Sequence, residues 1–345
     1  MEVKQQRDRA IDLLKFVAVY LMVLSHCLQR LGLGMDSLDH PIGKLIVMVN
    51  MPLFIFVTGY FGRSLYSRTL KDLLVSKYKT LIRPTALYAL MVVIICDLII
   101  IQFGISIKGC FNIILNRLIY GYWFIWVVIY SSFYSWFFVK LGEMLHVKRV
   151  IILLISFALL LIIPDTSFIP CLSSFKAMYS FFLLGMLFRE RNWLDWMYSH
   201  KIVVLHLSII GYLIAFYFYK GVWSFYYFPL TPFPLVLYYY VLMIVIGIIG
   251  IALLYVTLRG VWEQKKGNNV ICKFAELGSY SLAIYLIQGV VMEVADCYKK
   301  QLVIDDSCIL TIVAIATSVF LTALISFIIM HIKKSKCLSA YLLGK

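Results

Sequence analysis

The 345 residues are 63% hydrophobic and 14% charged, with a mean hydropathy of +0.92, which excludes a chain meant for water. The formal charge of +15 does not point to nucleic acid, because Lys and Arg fall in short clusters between apolar runs and not along one face. The eight cysteines show no C-x-x-C and no metal-ligand spacing, so no metal is expected.

The apolar runs are long enough for bilayer-crossing helices and lack the alternating polarity of spanning strands. Lys4, Arg7 and Arg9 precede the first run as in a secretion signal, but that run holds His26 and has no clear small-residue cleavage site, which predicts a retained helix. Ten spans are predicted: 11–31, 42–62, 85–103, 121–140, 150–163, 172–188, 202–219, 234–258, 274–294 and 308–331. The fifth is short, and 104–120 has room for an interfacial helix. The stretch from Trp223 to Tyr240, with Pro229, Pro232 and Pro234, is expected at the outer interface, where aromatic rings settle and prolines break helices. Most basic residues fall in alternate inter-span segments, so the positive-inside rule puts both termini in the cytoplasm. The expected architecture is an all-α, multi-pass inner-membrane bundle forming one domain over residues 1–345.

Ionisable groups at membrane depth carry the functional argument, since each costs at least about 2.5 kcal/mol to place there. Asp12, Lys15 and His26 stand out. The step from Lys15 to His26 is roughly three helical turns, which sets both on one face about 16 Å apart along the axis. Asp12 lies about 60° from Lys15, close enough to pair with it. Val19 and Met22 sit between them, so the stripe is apolar in its middle and polar at two depths, like a channel wall. The plainer alternative has Asp12 and Lys15 snorkelling to the surface while His26 satisfies a backbone carbonyl.

Ile11-Asp12-Leu13-Leu14-Lys15, followed after ten residues by His26, resembles the first-helix signature of the acyltransferase-3 family of integral membrane acyltransferases. Lys15 stands where many members carry Arg, which is similar to the branch that includes fucose O-acetylase-like proteins. Further matches follow in the family's order: Met51-Pro52-Leu53-Phe54 leading to Thr58-Gly59-Tyr60, Arg83-Pro84, Trp123-Phe124, Phe181-Phe182-Leu183-Leu184-Gly185, and Leu277-Gly278-Ser279-Tyr280-Ser281-Leu282 to Tyr285-Leu286. Asn50 and Gln288 stand where members often carry His. Neither titrates near neutrality, so chemistry would rest more heavily on His26.

The resemblance implies a membrane O-acyltransferase that moves an acyl group, by default acetyl, from cytoplasmic acyl-CoA to a hydroxyl of a surface carbohydrate or its lipid-linked precursor. His26 would serve as general base or as covalent acyl carrier. Lys15, oriented or neutralised by Asp12, would meet the phosphates of CoA as a point charge. Arg63, Arg68, Lys77, Lys79 and Arg83 are further cations near that mouth, although membrane topology and anionic-lipid attraction also explain a basic loop. Arg83 is singled out because Arg-Pro at a span entrance fixes the turn and leaves the guanidinium free. Tyr122 and Trp123 would stack on the acceptor sugar or belong to an interfacial aromatic belt. Tyr285 and Gln288 share a helix face and would contact the acceptor or serve polar helix packing. Expected partners are membrane lipid and the carbohydrate acceptor, with no nucleic acid. A polysaccharide polymerase, a flippase, another transporter or a non-catalytic membrane sensor are the competing classes.

Overall fold

The computed structural model describes residues 8–100, 107–163, 169–220, 235–297 and 307–344, and every regular element among them is helical. Most of the stretch expected at the outer interface, from Trp223 to residue 234, lies outside the described residues.

Helix α1 (Arg9–Leu28) starts where Asp8 accepts hydrogen bonds from the N–H groups of Ala10 and Ile11 at 3.0 and 3.3 Å, satisfying donors that a helix start leaves orphaned. It runs into a π turn, Gln29–Leu33. α2 (Pro41–Val47) and α3 (Asn50–Tyr60) follow, and a 3₁₀ turn, Phe61–Leu65, ends that hairpin. α4 (Leu70–Lys77) begins at the Thr69 cap and passes through a π turn, Tyr78–Ile82, into α5 (Arg83–Val92). Pro84 sits in the first turn of α5, where a missing N–H is tolerated.

α6 (Ile107–Asn116) precedes α7 (Trp123–Met144), α8 (Arg149–Ile162) and α9 (Leu172–Glu190). The chain continues through α10 (Trp193–Ser199), α11 (Lys201–Phe218) and α12 (Leu235–Lys265). It ends with α13 (Asn269–Gly278), α14 (Ser281–Cys297), α15 (Ser307–Ile332) and α16 (Lys336–Leu342).

Among the described residues, seven stretches are long and apolar enough to cross a membrane: Arg9–Leu31, Pro41–Tyr60, Leu70–Cys96, Trp123–Met144, Lys201–Phe218, Leu237–Lys265 and Cys308–Ile332. The other three expected spans are also helical but differ in kind. α13 and α14 form one apolar path bent by 76°. α8 has only 14 residues, and α9 interrupts its apolar run with Ser173, Ser174, Lys176 and Ser180. The chain is a multi-pass membrane protein.

α1 is the hub, packed against α3, α12, α13, α14 and α15, while α11 buries only Ser208 and turns its apolar surface outward. α3 and α9 cross at glycines: a Cβ on Gly185 would lie 2.0 Å from the Phe56 carbonyl oxygen, and one on Gly59 would lie 2.0 Å from that of Phe182. The Thr58-Gly59 and Leu184-Gly185 pairs are therefore backbone contact points between two helices.

Candidate active site

Because α1 is surrounded, its polar face opens onto the interior and not onto lipid. Asp12 is buried, and its carboxylate lies 3.3 Å from the Lys15 ammonium, as the one-turn spacing requires. The Lys15 ammonium also stands 4.2 Å from the centre of the Phe61 ring. α13 locks against this turn, since a Cβ on Gly278 would lie 1.7 Å from the Asp12 carbonyl oxygen.

Three adjoining cavities run along α1. The first, about 520 Å³, is lined by Lys15, Arg68, Lys77, Thr58 and Ser281. The second, about 190 Å³, shares Thr58, Lys77 and Ser281 with it and is otherwise walled mainly by Met22, Met51, Phe54, Ile125, Val128 and Leu282. The third, about 80 Å³, shares Met22, Met51, Phe124 and Tyr285 with the second and adds His26, Asn50, Tyr122, Trp123, Gln288 and Glu293. The shared walls make one route whose mainly apolar middle joins two more polar chambers. Ala18, and not Val19, faces the first chamber. The π turns Gln29–Leu33, Tyr78–Ile82 and Arg117–Gly121 all border this route through Arg30, Thr80, Leu81 and Gly121.

In the third chamber the His26 Nδ1 lies 3.2 Å from the Gln29 Oε1. An amide oxygen only accepts, so Nδ1–H donates and the Nε2 lone pair is left as a base or a nucleophile. The Asn50 Oδ1 accepts from the Met51 N–H at 2.6 Å. Gln288 is 2% exposed, and its buried Oε1 has no hydrogen-bond partner among the described residues. Such a group wants a donor from whatever enters the chamber.

Tyr122 is packed as a buttress, edge-on to Tyr285 with ring centres 5.9 Å apart, while Trp123 and Tyr285 are only partly buried. The chamber's far rim is ionic: the Glu293 carboxylate lies 3.8 Å from the Arg30 guanidinium and accepts a hydrogen bond from Arg117.

Not every expected site residue gathers here. The Arg83 guanidinium donates to the Ala340 carbonyl of α16 and lies 4.5 Å over the Tyr341 ring, so it is engaged and not free. It lines none of the three cavities. Arg63 belongs to the turn Phe61–Leu65, and its side chain lies outside the described residues. Arg68 and Lys77, read in the sequence as part of a basic loop, instead face the first chamber, and the Arg68 guanidinium donates to the Ser76 hydroxyl at 2.8 Å. Arg30 and Glu293 were not singled out. Helical spacing signals Arg30 alone, four residues after His26, whereas Glu293 lies five residues after Gln288 and well round the helix from it.

A family model described as the acyltransferase domain matches residues 8–331. The chain belongs to that family. This acyltransferase is also 26% identical over 215 residues to the nodulation protein NolL of Mesorhizobium japonicum. That alignment covers 60% of this chain and 55% of NolL, so the match spans little more than half of the relative. No solved structure matches this acyltransferase.

Proposed function

We propose that this acyltransferase takes an acyl group, acetyl by default, from acyl-CoA and delivers it to a hydroxyl of a surface carbohydrate or a lipid-linked glycan precursor. The observation that carries the reading is the run of adjoining cavities from Lys15 to His26 through a mainly apolar middle. Lys15, Arg68 and Lys77 supply the cations that phosphates at one end require. A thin, mostly uncharged thioester arm suits that mainly apolar middle. His26, with Nε2 unengaged, then either removes the acceptor hydroxyl's proton as the thioester carbonyl is attacked, or accepts the acyl group itself and passes it on.

Trp123 and Tyr285 offer partly exposed aromatic faces to a sugar ring, and Gln288 offers an unpaired acceptor to a sugar hydroxyl. The finer topology belongs to the same proposal: ten passes through the inner membrane as one domain, with both termini cytoplasmic. The bent α13–α14 path, α8 and α9 complete the ten.

The test uses the purified full chain in detergent with labelled acetyl-CoA and a carbohydrate acceptor. Acceptor-dependent release of free CoA that disappears in His26→Ala, with Lys15→Ala raising KM for the donor, supports the reading. Full transfer by His26→Ala would defeat it. So would carbohydrate movement across vesicles without donor consumption.

A further inference from the structure

A fourth cleft, about 830 Å³, lies where α8 meets the end of α9 and shares no lining residue with the route to His26. Lys148, Arg149, Arg189 and Arg191 line it, against one carboxylate, Glu190, which accepts a hydrogen bond from the Tyr66 hydroxyl at 2.7 Å. Two of the cations are held in place by tyrosines. The Arg149 guanidinium lies 4.4 Å over the Tyr66 ring, and the Arg189 guanidinium donates to the Tyr60 hydroxyl at 2.9 Å. The Lys148 and Arg191 side chains make no hydrogen bond or ion pair among the described residues.

This is more than a basic segment left in water by membrane topology. Lys148 and Arg149 stand at the start of α8, the positive end of its dipole, where a cation is disfavoured and where no side chain caps the helix. Four cations around one concavity repel one another until an anion enters, and a phosphate group fits guanidinium forks and open helix N–H groups together.

The cleft also adjoins exposed apolar surface. Ile151 lines it, and Ile151, Leu154, Ile155 and Ile162 are all exposed along one stripe of α8. We infer that this cleft seats the phosphate headgroup of an anionic phospholipid, with an acyl chain lying along that stripe. A free phosphate would use the cations and leave the adjoining stripe unused.

The experiment is native mass spectrometry of the full chain in detergent, titrated with phosphatidylglycerol or phosphatidylcholine and without acyl donor, so its outcome is independent of the catalytic reading. One phosphatidylglycerol should bind several-fold more tightly than phosphatidylcholine. Lys148→Gln/Arg191→Gln should weaken it about tenfold, a loss of about 1.4 kcal/mol. Lys71→Gln/Lys334→Gln, which removes the same charge from exposed positions elsewhere, should leave binding unchanged. Arg191→Gln alone, at the exposed end of α9, gives the same reading at smaller amplitude if the double variant does not stay monodisperse. Equal loss in both double variants would reduce the site to generic charge attraction and overturn the inference. Displacement of phosphatidylglycerol by stoichiometric inorganic phosphate would overturn the lipid assignment as well.

Discussion

Gly278 rests directly on the backbone of Asp12: a Cβ at the glycine would sit 1.7 Å from the Asp12 carbonyl oxygen. The contact joins the late Leu-Gly-Ser-Tyr segment to the first helix at the turn that holds Lys15. Gly278→Val therefore forces α13 away from α1 at a place where a backbone atom has to give. The expected cost exceeds the usual overpacking range of about 1–3 kcal/mol. Thermal unfolding of the detergent-solubilised variant should show a clear loss of stability, with acyl transfer lost as well. A wild-type melting curve would contradict the packing described.

Lys15 is expected to act on donor affinity. Lys15→Ala should raise KM for acyl-CoA about tenfold, worth about 1.4 kcal/mol, with a smaller change in kcat. Lys15→Arg should restore most of the affinity, because a guanidinium still offers positive charge to a phosphate. Steady-state kinetics over a range of donor concentration check both.

Gln288 makes the opposite kind of prediction. Its Oε1 has no partner among the described residues, so Gln288→Leu gives up no hydrogen bond at that atom and stability should hold within about 1 kcal/mol. KM for the carbohydrate acceptor should rise roughly two- to tenfold, the value of one neutral hydrogen bond, with donor KM unchanged. An acceptor KM equal to that of the wild type would show that the atom faces no substrate.

Arg83 should behave as a structural residue. Its guanidinium ties α5 to the Ala340 carbonyl and the Tyr341 ring, so Arg83→Ala should lower stability by about 1–2 kcal/mol and leave donor KM near the wild-type value. Denaturation and donor kinetics on the same preparation separate the two effects. A large rise in KM with normal stability would return Arg83 to the donor site.

The relation of Asp12, Lys15 and His26 was legible in the sequence because it depends only on the period of one helix. The glycine crossings were legible as motifs but not as contacts, since Gly59 and Gly185 meet through tertiary packing. The engagement of Arg83 was not legible at all: its partner is 257 residues away, on a short helix with no signature of its own. The span expected at 274–294 differs in shape for a local reason. Hydropathy registers the apolar run from 274 to 294 as one rod, whereas the Gly278-Ser279-Tyr280 segment breaks it into a bent pair. Arg30, Arg117 and Glu293 come from three separate segments, so no periodicity announces their cluster.

The lining of the route's middle has an electrical consequence. Met22, Met51, Phe54, Ile125 and Val128 line it opposite the Lys77 ammonium, so a small cation entering it would meet a fixed like charge and hydrocarbon that returns little of its lost shell. An uncharged acyl group meets no such barrier. On the proposed function, the acyl group therefore passes the middle of the route without a cation accompanying it.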